Sequence, residues 1–404
     1  MGTVWLLEAK CWARVRRSLR GVEEQLNRQV YLDHAASTQA RPEVVEAMLP
    51  WLGEHPGNPS GSHRMARDAR RAIDDARDAV AALVGMDPGG VVFTSGGTEA
   101  DNLAVDGVLG AGSGVAVCCA AEHAAVLEPV RESGGVVLPA DAGGRIDLGA
   151  LAETLESVAD IRLVSVMAAN NETGVVSPVA EVVSLISEWA PDAVVHCDAV
   201  QATAWLDLAD VCRGARLVSI TGHKFGGPKG AGALVVDGDV PLSPMLRGGG
   251  QERERRSGTQ NVPAIVGLGR AAELVVVDRE ETADRVAAMR DRLEGGLLAA
   301  VPGASRTVPD GVGRTPAVAH LCFEGIESEA LLFLLEQEGI CASAASSCSS
   351  GAQDPSHVLA AMGIERDAAA GSLRLSLARA TTDADVDHAL VVIPGIVERL
   401  SAYA

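Results

Sequence analysis

The chain has 404 residues, 47% of them hydrophobic and 22% charged, so it can bury a large core and is long enough for about two or three domains. Its formal net charge is −20, and this excess of acidic residues opposes direct binding to nucleic acid or to anionic lipid. No apolar run approaches the roughly 20 residues of a membrane span, and the eight cysteines form no CxxC pair, which indicates reduced thiols in a cytoplasmic protein.

Residues 1–29 form an N-terminal extension to which we assign no function. Its apolar run, Val4–Leu7, is too short for a signal peptide, and no small-residue cleavage site follows it. Basic residues come next, so a basic amphipathic helix and a frayed extension both remain open interpretations.

From Val30 onward, apolar strand-like runs alternate with helices or long loops. A short strand at Tyr31 enters a polar loop, and a helix capped by Ser62 is predicted to end at Gly85. The next predicted strands are Val91–Thr94, Val115–Ala120, Val136–Pro139, Ile161–Ala168, Ala193–Asp198, Leu217–Ile220 and Gly232–Val236. Continuous apolar strands with intervening helices are typical of an α/β fold with a mainly parallel sheet.

The pattern changes in the last third of the chain. A Gly-rich loop from Gly248 leads into long helical stretches that reach about Ala300, and a smaller α+β unit follows. We predict a large domain over 30–275, whose first strand and loop pack with the other unit, and a small domain over 276–404. The small domain carries a mobile loop, 342–353, which is built almost entirely from small and polar residues.

Polar residues follow the predicted parallel strands at their C-terminal ends, where α/β proteins bind ligands. His123, Asn171, Asp198 and Lys224 each lie at or just beyond such a strand end, and Gln201 comes three residues after Asp198. A further strand ends in a turn that contains Gly97 and Thr98 and opens a helix. Free backbone N–H groups and the helix dipole make such a turn suitable for an anion, although many strand-to-helix turns carry glycine without one.

Together these residues match what pyridoxal phosphate (PLP) requires. The cofactor needs a lysine for a Schiff base, a carboxylate for its pyridine nitrogen, a donor to its phenolic oxygen, a flat group over the ring and an anion site. Taken singly, Lys224 is also consistent with a solvated loop lysine, His123 with a core histidine and Asp198 with a turn aspartate. Because all the requirements are met at successive strand ends, we favour PLP binding over these separate explanations.

At this point the sequence resembles the cysteine desulfurases of the NifS/IscS type, which are fold-type I, class V PLP-dependent enzymes. The resemblance extends from about Tyr31 to Arg379. It rests on the motifs YLDHAAST, TSGGTEADNLA, AEHAAVLEP, ANNETGVVSP, CDAVQ, TGHKFGGPKGAGAL, GGGQERERRSGTQNVP and SSCSSGAQDPSHVLAAMG. It implies a large domain with a mainly parallel seven-stranded sheet and a smaller α+β C-terminal domain.

The resemblance also implies a role for each matching residue. Lys224 would carry PLP, and His123 would stack on the ring and assist proton transfer. Asp198 would pair with the pyridine nitrogen, while Gln201 and Asn171 would bond the phenolic oxygen or the amine side of the substrate. The residues implied to hold the phosphate are Gly97, Thr98, Thr221, Gly222, His223 and Thr259, of which Thr259 would reach the phosphate bound by the partner subunit of a homodimer.

Two more residues complete the implied reaction. Arg374 would clamp the carboxylate of L-cysteine, which a guanidinium fork suits. Cys348, in the mobile loop, would take the substrate sulfur as a persulfide, leave alanine and pass the sulfur to an acceptor or scaffold protein. No metal site is predicted, except that Cys348 could transiently ligate an iron–sulfur cluster. Five other cysteines fall in or near apolar elements and are predicted to be buried: Cys118, Cys119, Cys197, Cys212 and Cys322.

Some positions depart from the family pattern. Glu254 stands where glycine is common, Gln260 where glutamate is usual, and Ala378 where glycine is frequent. These differences bear on partner preference more than on the reaction. The alternatives are a selenocysteine lyase, another class V enzyme such as an aminotransferase, or an inactive assembly partner. The destination of the sulfur stays open among iron–sulfur assembly, tRNA or cofactor thiolation and DNA sulfur modification.

Overall fold

The computed structural model of the chain describes residues 29–344 and 356–402. The strands are β1 (Val30–Tyr31), β2 (Val91–Thr94), β3 (Val115–Cys119), β4 (Val136–Leu138), β5 (Ile161–Met167), β6 (Val194–Asp198), β7 (Leu217–Thr221), β8 (Gly232–Val236), β9 (Ala304–Arg306), β10 (Val318–Phe323), β11 (Ile340–Cys341) and β12 (Ser372–Ser376).

The α-helices are α1 (Pro42–Gly53), α2 (Arg64–Val84), α3 (Gly97–Gly110), α4 (Ala124–Glu132), α5 (Leu148–Ser157), α6 (Val179–Trp189), α7 (Leu208–Val211), α8 (Val262–Ala300), α9 (Ser328–Gln337), α10 (His357–Ala361), α11 (Arg366–Ala370) and α12 (Asp383–Ser401). Short 3-10 turns lie at Pro88–Gly90, Gly222–Lys224 and Glu252–Glu254. Among the described helices, none combines the length and the apolar character needed to cross a lipid bilayer.

A seven-stranded sheet with the order β2-β8-β7-β6-β5-β3-β4 forms the centre of the fold. The pairs from β7 across to β4 are parallel, whereas β8 runs antiparallel to both β7 and β2. Hydrophobic clusters cover both faces of the sheet, because most of these strands are apolar throughout. The predicted α/β class and the mainly parallel seven-stranded sheet are therefore confirmed.

Helix α2 begins one residue later than the sequence suggested. We predicted Ser62 as its cap, but the side chain of His63 occupies the N-cap position and accepts a hydrogen bond from the N–H of Ala66. The imidazole Nδ1 accepts the capping hydrogen bond that a serine hydroxyl usually accepts. The predicted end is confirmed, since Gly85 takes the left-handed conformation with φ 75°.

A second hydrophobic cluster surrounds a three-stranded antiparallel sheet of order β12-β10-β9. The N-terminal part of α8, up to Val275, contributes to the first core, and its part from Val286 onward contributes to the second. Val30 and Leu32 also lie in the second cluster, and β1 pairs with β11 in parallel. The domain boundary at 275/276 stays a prediction, because α8 is continuous across it.

Candidate active site

A cavity of about 350 Å³ lies at the C-terminal ends of the parallel strands. It is lined by nearly all the site residues that the sequence predicted: Gly97, Thr98, His123, Asn171, Asp198, Gln201, Thr221, His223, Lys224 and Arg374. Parallel strands end at one edge of a sheet, and this explains why His123, Asp198 and Lys224 meet here although they are up to 101 positions apart, whereas Arg374 comes from β12 of the antiparallel sheet.

Lys224 projects from the short turn after β7 toward the first loop of the chain. Its Nζ donates hydrogen bonds to the backbone oxygens of Ala35 and Ala36, the second at 3.0 Å. The side-chain amide of Gln201 donates to the same Ala35 oxygen at 2.7 Å. The loop that contains Ala35 and Ala36 therefore forms one wall of the cavity and orients both side chains.

Asp198 ends β6 and is buried, with its Oδ1 accepting a hydrogen bond from the N–H of Val200 at 2.9 Å. Burial raises the pKa of this carboxyl, while the Val200 N–H, His123 and Lys224 act in the opposite direction. A cation placed beside it would favour its ionised form. A protonated ring nitrogen is such a cation.

His123 is the N-cap of α4, and its Nδ1 accepts a hydrogen bond from the N–H of Ala125 at 3.1 Å. Burial lowers the pKa of His123, so the ring is neutral near pH 7. Because a backbone N–H occupies Nδ1, the ring proton of the neutral form lies on Nε2. In this form His123 presents a proton donor at Nε2.

Arg374, on β12, is anchored before any substrate arrives. Its Nη2 lies 2.8 Å from Oδ1 of Asp33, and its Nη1 donates to the backbone oxygen of Asn171 at 3.1 Å. Its buried Nε has no hydrogen-bond partner among the residues that the structure describes. These two contacts fix the guanidinium plane and use two of its five N–H groups, which leaves donors for a carboxylate.

The turn before α3 is shaped for close approach of a ligand. A Cβ added at Gly97 would lie 2.9 Å from Cγ2 of Val200, so a larger residue would crowd the turn. Thr221 is buried beside it and donates its hydroxyl to the backbone oxygen of Ala231 at 3.1 Å. The pKa of His223 is lowered to about 4 by burial and then by Lys224 and Lys229, so its ring is neutral.

Three predicted site residues lie outside this cavity or outside the described chain. Thr259 lines a separate cavity of about 160 Å³ together with Ser95 and Arg256. Gly222 lies behind the cavity wall, where a Cβ would approach the backbone oxygen of Pro228 at 2.9 Å. Cys348 falls outside the described residues. The suggested role of Cys348 as an iron–sulfur ligand therefore also concerns a residue outside the described part of the chain. The described residues contain no cluster suited to a metal ion.

Sequence reasoning missed several residues that line the cavity. Asp33, Ala35, Ala36 and Ser343 come from segments remote from the predicted strand ends, and Asp101 lies one turn inside α3. Asp101 is 2% exposed, and its Oδ1 has no hydrogen-bond partner in the described chain. The motif YLDHAAST was the available signal for the first three.

The residues present fit PLP. A lysine amine, a buried carboxylate, an amide, an imidazole and a glycine turn at a helix start share one cavity. The buried Nε of Arg374, which has no hydrogen-bond partner among the described residues, also indicates that the site is built for a polar occupant. Asp198, Lys224 and the turn at Gly97 would hold the pyridine nitrogen, the aldehyde carbon and the phosphate respectively.

Comparison with known proteins identifies the class. Residues 30–389 match the family model of the class-V aminotransferases, and the chain belongs to that family. Within it, the chain belongs with the cysteine desulfurases. It is 44% identical to the IscS-like cysteine desulfurase of Mycobacterium tuberculosis over 381 residues, which cover 91% of this chain and 96% of that protein.

Solved structures agree with this placement. A NifS-like protein superposes with a TM-score of 0.83 at 35% identity, covering 93% of this chain and all of the other. A structure of SspA in complex with cysteine gives a TM-score of 0.74 at 30% identity, covering 87% of this chain and 99% of the other.

The five cysteines predicted to be buried are confirmed as buried free thiols.

Proposed function

We propose that the protein is a cysteine desulfurase that uses PLP to remove sulfur from L-cysteine, giving L-alanine and a persulfide on Cys348. The observation that carries the proposal is the shared cavity of Lys224, Asp198, Gln201 and His123 in a chain that belongs to the cysteine desulfurases. The SspA structure contains cysteine, which favours the same substrate here.

Each residue has a definite task in this proposal. PLP, when bound, withdraws electrons from the α-carbon of an amino acid. Lys224 would hold the cofactor through its amine. Asp198 would keep a proton on the ring nitrogen, and Gln201 would donate to the phenolic oxygen. Arg374 binds the substrate carboxylate with the N–H groups that Asp33 and Asn171 leave unused.

His123 serves best as a proton donor. Its Nδ1 is engaged by Ala125, so the neutral ring offers the proton on Nε2. This makes the proton-transfer role that the resemblance implied for His123 more specific. Protonating a leaving group, or hydrogen bonding to the substrate, requires no rearrangement of the cap.

The sulfur transfer is balanced without an outside oxidant. The thiolate of Cys348 attacks the sulfur of the bound substrate, a sulfur–sulfur bond forms and the carbon–sulfur bond breaks. The electron pair returns to the substrate carbon, which takes up a proton and leaves as alanine. Ser343 lines the cavity five residues before Cys348, and five extended residues span at most about 17 Å, so the tether keeps the thiol within reach of the site.

We further propose a homodimer, a cytoplasmic location and delivery of the sulfur to an acceptor or scaffold protein. Thr259 lies outside the cavity of its own chain, which supports a role at the site of a second subunit. The eight cysteines form no CxxC pair and no regular framework spacing, which supports a reducing compartment.

The test is sulfur release by the variant Cys348→Ser. Wild-type protein with bound PLP should convert L-cysteine to alanine and, with a thiol reductant, release an equal amount of sulfide. The variant should bind PLP with the same affinity and lose sulfide release, because it lacks the accepting thiol. Full activity in Cys348→Ser would refute the assignment of the acceptor, and Cys341→Ser serves as the control.

A further inference from the structure

A carboxylate directly follows the turn that would receive the cofactor phosphate. Glu99 is in the first turn of α3, directly after Gly97 and Thr98, and its side chain is 16% exposed. Its Oε2 accepts a hydrogen bond from the N–H of Ser95 at 2.8 Å. Because Coulomb repulsion is weakly screened in a part-buried site, this negative charge opposes the binding of an anion at the same turn.

Arg256 compensates that charge. Its Nε lies 2.8 Å from Oε1 of Glu99 and its Nη2 lies 3.4 Å from Oε2, and its side chain is 23% exposed. Burial acts to raise the pKa of Glu99, but the hydrogen bonds from Arg256 and Ser95 outweigh it and hold the pKa below its usual value. At neutral pH the pair is therefore fully ionised and carries no net charge.

The same ion pair links the turn of one proposed phosphate site to the loop that would supply Thr259 to the phosphate site of the second subunit. Glu99 belongs to the turn that holds Gly97 and Thr98, whereas Arg256 lies three residues before Thr259. Arg256 and Thr259 line one cavity together with Ser95. The backbone N–H of Ser95 donates the hydrogen bond that Glu99 accepts. The pair thus fixes the position of the Thr259 loop against the turn.

We propose that Arg256 is a positioning residue for the cofactor phosphate, which acts by neutralising Glu99 and fastening the Thr259 loop to the turn before α3. This inference rests on the proposed function, because it takes PLP as the ligand. Neither Arg256 nor Glu99 lines the cavity that contains Lys224, so their effect on the ligand is transmitted through the turn.

The experiment measures binding of PLP to the apoenzyme by absorbance titration. In Arg256→Gln, Glu99 is left uncompensated, and we expect the Kd for PLP to rise about tenfold. Pyridoxal lacks the phosphate, and its Kd should change less than twofold. The double variant Arg256→Gln with Glu99→Gln removes both charges and should restore most of the affinity for PLP.

A matched control is Arg145→Gln, which breaks the ion pair of Arg145 with Asp141 in a turn that contributes no residue to the cavity. Its Kd for PLP should equal that of the wild type. Equal Kd values for wild type and Arg256→Gln, an equal loss for PLP and pyridoxal, or no recovery in the double variant would each overturn the inference. A wild-type apoenzyme that binds no PLP would instead refute the proposed function and the inference with it.

Discussion

Buried carboxyl groups dominate the electrostatics of the site at the scale of single residues. Asp101, Glu122 and Asp198 are each at most 5% exposed, and burial raises the pKa of all three. Burial favours the protonated form of such a group, and a neighbouring cation favours the ionised form. The positive ring nitrogen of PLP beside Asp198 would be such a cation, so we expect cofactor binding to lower the pKa of that carboxyl.

Glu172 provides a pH prediction. It is 4% exposed, accepts a hydrogen bond from Ser356, and has its pKa raised to about 7, chiefly by burial. Because the unfolded chain ionises this group near 4.5, its contribution to stability is full below about pH 4.5 and is lost as the pH rises through about 7. The shift corresponds to about 3 kcal/mol.

The variant Glu172→Gln removes that dependence. Denaturant titration at pH 5 and pH 8 measures the free energy of unfolding of both proteins. The value for the variant minus the value for the wild type should be larger at pH 8 than at pH 5. The difference between the two proteins isolates Glu172 from the other titrating groups. An identical pH dependence in both proteins would mean that Glu172 ionises normally.

The sequence predicted the polar residues at strand ends but not what they touch. Lys224 and Gln201 were identifiable by type and place, since both follow strands of the sheet. Their shared acceptor, the Ala35 oxygen, was not, because a backbone atom 189 residues away from Lys224 leaves no signature in a side chain. The hydrogen bond that sets the tautomer of His123 likewise depends on where α4 begins.

At the scale of elements, the turn Glu252–Glu254 is strained. All three residues have positive φ, namely 49°, 56° and 66°, although none is glycine. Glu252 is held there by Arg77, at 3.1 Å to each carboxylate oxygen, and by the N–H of Phe93 at 3.1 Å. Glycine adopts this left-handed conformation without strain, which agrees with the glycine that the resemblance led us to expect at the position of Glu254.

Replacing Glu254 with glycine should relieve strain. Glu254 is exposed, so the change removes no buried contact, and we expect the free energy of unfolding to rise by about 1 kcal/mol. Denaturant titration measures this. The control Glu153→Gly, at an exposed position inside α5, should lower stability by about 1 kcal/mol. Equal destabilisation by both changes would show that the turn is unstrained.

Sequence patterns located the strands of the central sheet and missed some other elements. The strands of the central sheet were predictable because their apolar runs are continuous, as in β5 and β6. By contrast, β9 and α11 have three and five residues and little periodicity. The strand β9 is formed by pairing with β10, and such pairing is not encoded within the segment.

At the scale of the whole molecule, Asp278 ties together three distant parts of the chain. It lies on α8, and its carboxylate binds Arg41 through two hydrogen bonds of 3.1 and 2.6 Å and also binds Arg379 at 3.1 Å. The Arg41 side chain is 10% exposed. Removing the carboxylate would leave a nearly buried guanidinium without its partner, and this would lower the stability of the folded protein.

We therefore expect Asp278→Asn to lower the free energy of unfolding by about 2 kcal/mol. The control Asp210→Asn weakens a largely exposed pair with Arg213 and should cost less than about 0.5 kcal/mol. Thermal unfolding of the two variants beside the wild type makes the comparison. A difference between them smaller than the experimental error would rule out this carboxylate as a structural link.

The covalent link between PLP and Lys224 is the claim on which the rest depends, and the composition makes it directly testable. The chain contains only three lysines, Lys10, Lys224 and Lys229. Borohydride reduction of the PLP-loaded protein, followed by peptide mass spectrometry, should place one phosphopyridoxyl group on Lys224 and none on the other two. An adduct on Lys229, or no adduct at saturating PLP, would contradict the account.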